Sequence, residues 1–206
     1  CPLYEGVRDH RQIAETAPHF YKLTSTMLNG QHGLDVLCAC LKATITGQAW
    51  LQFYVELYGE PESGKGTLIR VLEQLIGAGN IANTTLSALE DNRFEIMALV
   101  DALMILIPDA AEFSQSVNNL KAITGYDLVR GEEKREQQRG KGERIEGIIW
   151  MGMNHPLRTP ERSRAIVRRK VPLFCKKGWT VRDDALENKI IERELPHIFN
   201  SVIAMS

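Results

Sequence analysis

Phe53 to Thr67 reads FYVELYGEPESGKGT. An apolar run ends at Gly59, the chain passes through Glu60, Pro61, Glu62 and Ser63, and Gly64, Lys65, Gly66 and Thr67 lead into Leu68, Val71, Leu72, Leu75 and Ile76 at helical spacing. A strand, a phosphate-sized loop and a helix are predicted. Such a loop turns successive backbone N–H groups inward at the positive end of a helix, so a triphosphate would meet donors on all sides. Lys65 then stands where it can neutralise the outer phosphates, and the glycines let the backbone approach. Gly59 to Thr67 is therefore the candidate nucleotide-binding loop. The residue after Lys65 is Gly66, where the common pattern has the hydroxyl that ligates Mg²⁺. Thr67 carries that hydroxyl one place later, and either reaches the metal or holds it through water.

The remaining composition bounds the setting. A chain of 206 residues with 44% hydrophobic and 25% charged residues is long enough for one large domain with a substantial core, and too apolar to be disordered. The net charge of −1 hides a cationic segment that includes Arg130, Lys134, Arg135, Arg139, Lys141, Arg144, Arg158, Arg162, Arg164, Arg168, Arg169 and Lys170. A polyanion would be attracted to it. Cys1, Cys38, Cys40 and Cys175 show no metal-ligand spacing, and the first reading of Cys38 and Cys40 is buried free thiols in a cytoplasmic, reducing setting. No apolar run has membrane-spanning length. The opening Cys1 suggests a piece of a longer protein.

Before the loop, residues 4–29 are read as one or two helices broken near Pro18, and Gly33 to Gly47 as a buried helix, which makes residues 1–48 an N-terminal helical segment ahead of a domain over 49–206. His10, His19 and His32 are read as isolated surface or packing residues. After the loop, a short strand is expected over Ile81 to Thr85, a helix over Arg93 to Ala102, and a strand over Leu103 to Ile107, LMILI, apolar on both faces and so buried in a parallel sheet beside the phosphate-loop strand. Strands alternating with helices predict a three-layer α/β domain with a central, mostly parallel sheet.

Asp109 and Glu112 follow LMILI, in IPDAAEF. Acids beyond the carboxyl end of such a strand can grip Mg²⁺ and polarise an attacking water, and we assign Asp109 to the metal and Glu112 to the water. Both could instead cap the next helix. A third apolar run, Ile148 to Met153, ends at Asn154. If that strand lies between the other two, the Asn154 amide reaches the terminal phosphate. Asp127 to Gly147 is too polar for core and reads as a protruding β-hairpin, or a solvated charged ribbon, with Lys134, Arg135, Arg139 and Lys141 among Glu132, Glu133, Glu136 and Glu143.

The order GEPESGKGT, LMILIPDAAEF, LKAITGYDLVRGEEK, IIWMGMNHP and AIVRRKVPLF resembles the superfamily 3 helicases of the AAA+ class, in the phage and plasmid primase-helicase type, from about Leu41 to Phe199. The resemblance implies an AAA+ P-loop fold, with ATP and Mg²⁺ held by Lys65 and Thr67, Asp109 and Glu112 at the acidic position, and Asn154 as sensor. It also implies a hairpin that touches the backbone of single-stranded DNA through Lys134, Arg135, Arg139 and Lys141, and an arginine finger at Arg168 or Arg169 that acts across a subunit boundary in a homo-oligomeric ring, usually of six, with a primase on the same longer chain. An ordinary ion pair is the other reading of the two arginines. Two other functions are weighed against the helicase: an ATP-gated DNA-binding switch that loads without unwinding, and a nucleotide kinase.

Overall fold

The computed structural model describes residues 11–28, 30–108, 113, 116–130, 142–158, 164–178, 183 and 185–205. Three helices come first: α1 (Arg11–Thr16), α2 (Pro18–Met27) and α3 (Gly30–Ile45). The break falls at Ala17, with Pro18 in the first turn of α2, where a missing N–H costs nothing. Then follow β1 (Tyr54–Gly59), α4 (Lys65–Ile76), β2 (Ile81–Asn83), α5 (Leu86–Asp91), α6 (Arg93–Ala98), β3 (Met104–Pro108), α7 (Asn118–Thr124), β4 (Ile148–Met153), α8 (Arg164–Arg169), β5 (Lys170–Cys175), α9 (Leu186–Arg193) and α10 (Leu195–Ala204).

Among the described residues the strands form one five-stranded sheet, in the order β2-β3-β4-β1-β5, with every neighbouring pair parallel. Alternation along each strand assigns its two faces. Val55, Leu57, Met104, Leu106, Ile148, Trp150 and Leu173 face a core built with α1 to α4, α9 and α10. Tyr54, Ile105, Ile107, Ile149, Met151 and Met153 face a second core built with α5 to α8. The result is three layers, and the unbroken apolar runs of β3 and β4 are the mark of strands covered on both sides.

Three readings change. β3 is not beside β1, because β4 lies between them; an apolar run shows that a strand is interior but carries no information on its neighbours. The helix expected over Arg93 to Ala102 ends at Ala98, after a separate helix, α5, that the Thr85 side chain caps by accepting from the Ala88 N–H at 3.1 Å. His19 is not isolated: its Nδ1 lies 2.6 Å from Glu194 Oε1. The Glu194 carboxylate also accepts the backbone N–H groups of His19 at 3.0 Å and Phe20 at 2.9 Å, two of the unsatisfied donors in the first turn of α2. The N-terminal helices thus close over the sheet together with α9 and α10, in one shared core.

Of the hairpin reading over Asp127 to Gly147, residues 131–141 lie outside the described residues. At its root Val129 and Glu143 exchange an antiparallel pair of backbone hydrogen bonds, each 2.9 Å.

Candidate nucleotide site

The parallel register brings two strand ends together. Tyr58 pairs with Met153, so Gly59 and Asn154 leave adjacent strands side by side, about 5 Å apart. Gly59 also pairs with Cys175 on the other neighbour, and a β-carbon on Gly59 would fall 1.9 Å from the Cys175 carbonyl oxygen. Only glycine fits there. Gly152 serves the same end of the sheet: a β-carbon on it would meet Ile69 Cδ1 at 2.9 Å, so its absence lets α4 lie close against β4.

The loop between β1 and α4 is held by its own lysine. Lys65 Nζ donates to the carbonyl oxygens of Gly59 at 2.7 Å and Glu60 at 2.8 Å, and to Ser63 Oγ at 3.3 Å. Ser63 is buried, whereas Glu60, Pro61, Glu62 and Gly66 are exposed. Partial burial pulls the Lys65 ammonium below the ordinary lysine range, so an anion that replaced those carbonyls would meet a charge with little competing solvent. Glu62 adopts a left-handed backbone conformation, φ 61°, and its carboxylate meets Lys177 Nζ at 2.7 Å on the surface.

A cleft of about 760 Å³ opens over this loop, lined by Glu62 to Thr67 and, across from them, Asn154. Lys65 and Thr67, at the start of α4 after β1, and Asn154, just beyond β4, therefore face one space. The cleft also takes in Arg70, Lys177, Asp183, Leu186, Glu187 and Leu23, none of which the sequence had singled out. Arg70 stands one helical turn beyond Thr67, a spacing that could have marked it as facing the same way. Its guanidinium grips Glu187 of α9 through contacts of 2.6 to 2.9 Å and reaches Thr67 Oγ1 at 3.4 Å. Nothing local marks Glu187, because its partner is 117 positions away.

At the neighbouring strand end Pro108 pairs with Gly152, on the same side of the sheet as the loop. Asp109 and Glu112, which follow, lie outside the described residues, as do Lys134, Arg135, Arg139 and Lys141. Among the described residues no group of three or more His, Cys, Asp or Glu side chains could hold a metal ion.

The arginine pair lies at the other end of the sheet. Lys170 pairs with Tyr54, the first residue of β1, whereas the loop leaves from its last, so Arg168 and Arg169 sit about 16 Å of strand length away from Gly59. The two arginines also differ. Arg169 is half-buried and donates from Nη1 to the Lys121 carbonyl at 2.7 Å, in the last turn of α7. Burial and the adjacent Arg168 charge lower its pKa, against the pull of Asp127. Arg168 is exposed.

Residues 57–169 match the sequence model of a family of unknown function, DUF5906, over more than half of the chain. The chain belongs to that family. The matched span of DUF5906 begins on β1, the strand that leads into the glycine-rich loop, and ends on the arginine pair. The fold is shared with solved structures of the NrS-1 C-terminal region: an A-form apo structure at a TM-score of 0.70 and 13% identity, and a second apo structure at 0.68 and 14%. Each comparison covers 100% of this chain and 49% of the other, so this DUF5906 chain spans about half the length of those structures. Among the described residues no helix is long and apolar enough to cross a membrane.

Proposed function

We propose that this chain is the ATP-hydrolysing part of a replicative DNA helicase of the superfamily 3, phage or plasmid type, working as a homo-oligomeric ring, hexameric by resemblance, on single-stranded DNA. The observation that carries this reading is the convergence of Lys65, Thr67 and Asn154 on one cleft from two parallel strand ends. A loop that offers backbone donors, one lysine and a helix start fits a polyphosphate, and an amide beside it fits a group that senses the terminal phosphate. The fold shared with the NrS-1 C-terminal region agrees with a domain of this kind.

Thr67 and, by the sequence reading, Asp109 would hold Mg²⁺, which neutralises phosphate charge when bound with ATP. Glu112 is the candidate for orienting water. Arg168 is the better candidate for a finger than Arg169, which already holds the end of α7. Because both lie at the far end of the sheet from their own loop, a finger role for either calls for a second subunit. Lys134, Arg135, Arg139 and Lys141 are proposed to grip DNA phosphates, contacts that carry no sequence information and so suit a translocating motor. A primase on the same longer chain and a cytoplasmic setting complete the proposal.

The test is ATP-dependent displacement of one strand from a forked duplex. Wild type should unwind, and Lys65→Ala and Asn154→Ala should not. ATP-dependent DNA binding without strand separation would overturn the motor in favour of a loading switch. Phosphoryl transfer to a nucleoside monophosphate, indifferent to DNA, would overturn both in favour of a nucleotide kinase.

A further inference from the structure

Glu56 lies in the middle of β1 with no exposure to solvent. Oε1 accepts from the Tyr54 hydroxyl at 3.3 Å, Oε2 lies 3.2 Å from Lys170 Nζ and has no hydrogen-bond partner of good geometry, and the backbone N–H of Leu157 lies near the carboxylate. Burial raises its pKa more than Lys170, Tyr54 and Leu157 lower it. A buried carboxylate is a poor source of stability, since an apolar side chain of similar size commonly does as well or better in such a place. Its partners say more than its burial.

Each partner roots a different part of the site. Glu56 is three residues before Gly59, on the strand that delivers the phosphate loop. Leu157 is three residues after Asn154, in the segment that leaves β4. Lys170 follows Arg168 and Arg169 and opens β5. One side chain therefore touches the bases of all three. The contacts differ in kind: the Leu157 N–H needs only an oxygen acceptor, whereas the Lys170 ammonium calls for a negative charge.

We propose that Glu56 is a positioning residue that couples the Asn154 segment, which serves its own subunit's nucleotide, to the start of β5 behind Arg168, which serves the neighbour's. This rests on the ring reading above. Glu56→Gln keeps an acceptor for Leu157 and releases Lys170, so it separates the two roles: the subunit still binds nucleotide at its own loop but fails as a donor of the arginine.

The test mixes two full-length variants. Lys65→Ala subunits have a disabled loop and an intact arginine, and Arg168→Ala subunits the reverse. Together they should recover ATPase by about tenfold over either alone. Adding Glu56→Gln to the Lys65→Ala subunit should cut that recovery by about fivefold, although that subunit's own loop is already disabled. Glu56→Gln alone should bind a non-hydrolysable ATP analogue as wild type does. Should Glu56→Gln not fold, Lys170→Met in the same donor gives the same reading. Full recovery with the altered donor overturns the role of Glu56, as does an equal loss of analogue binding and donor function. No recovery from the two parent variants overturns the ring itself, and this coupling with it.

Discussion

The carbonyl oxygen of Cys175 stands 1.9 Å from where a β-carbon on Gly59 would lie. The atom in the way is backbone, fixed by the β1–β5 ladder, so no side-chain rotation relieves the clash. Gly59→Ala should cost about 3 kcal/mol or more. A urea titration followed by circular dichroism reads this as a lower midpoint, and an unchanged midpoint would mean that the strand end moves freely.

Arg168 and Arg169 should part company under substitution. Arg169→Ala removes the hydrogen bond to the Lys121 carbonyl and should destabilise the fold by about 1–2 kcal/mol. Arg168→Ala should leave the thermal midpoint where it is and lower ATPase. Equal midpoints for the two variants would contradict the capping of α7.

Glu194 ties the two ends of the chain together through His19 and Phe20. Glu194→Ala leaves two N–H groups of α2 without their acceptor and should cost about 2–4 kcal/mol. Hydrogen exchange localises the effect: amides of α2 should lose protection ahead of those of β4.

Glu56 also predicts a pH dependence. Its pKa is raised on folding, chiefly by burial, so the folded state binds more protons than the unfolded one just above the ordinary glutamate value. The contribution of this group to stability is therefore largest at acid pH and declines as pH rises through the window up to the raised value. The urea midpoint of wild type relative to Glu56→Gln, measured from pH 4 to pH 8, should fall with rising pH. A rise would mean that Lys170 outweighs burial.

What could be read directly from the residues was whatever repeats over short spacing. The loop between β1 and α4 was legible because Gly59, Gly64 and Lys65 stand close together in the chain, and β3 and β4 because a strand covered on both faces must be apolar throughout. The burial of Cys38 and Cys40 followed from their apolar helix in the same way; Cys38 is pushed up to about 12. The pairing of Arg70 with Glu187, the cap that Glu194 places on α2, and the helices α9 and α10 that close over α4 escaped, since their partners are brought together only by folding.

The sequence by itself determined that a strand, a glycine-rich loop and a helix stand at the centre of an α/β chain, because that motif is written in consecutive residues. Only the tertiary structure decided that β4 runs between β3 and β1, that Asn154 therefore shares a cleft with Lys65, and that the arginines stand at the opposite end of the sheet. Strand order and register depend on which apolar faces meet across the whole domain, and no local pattern carries that choice.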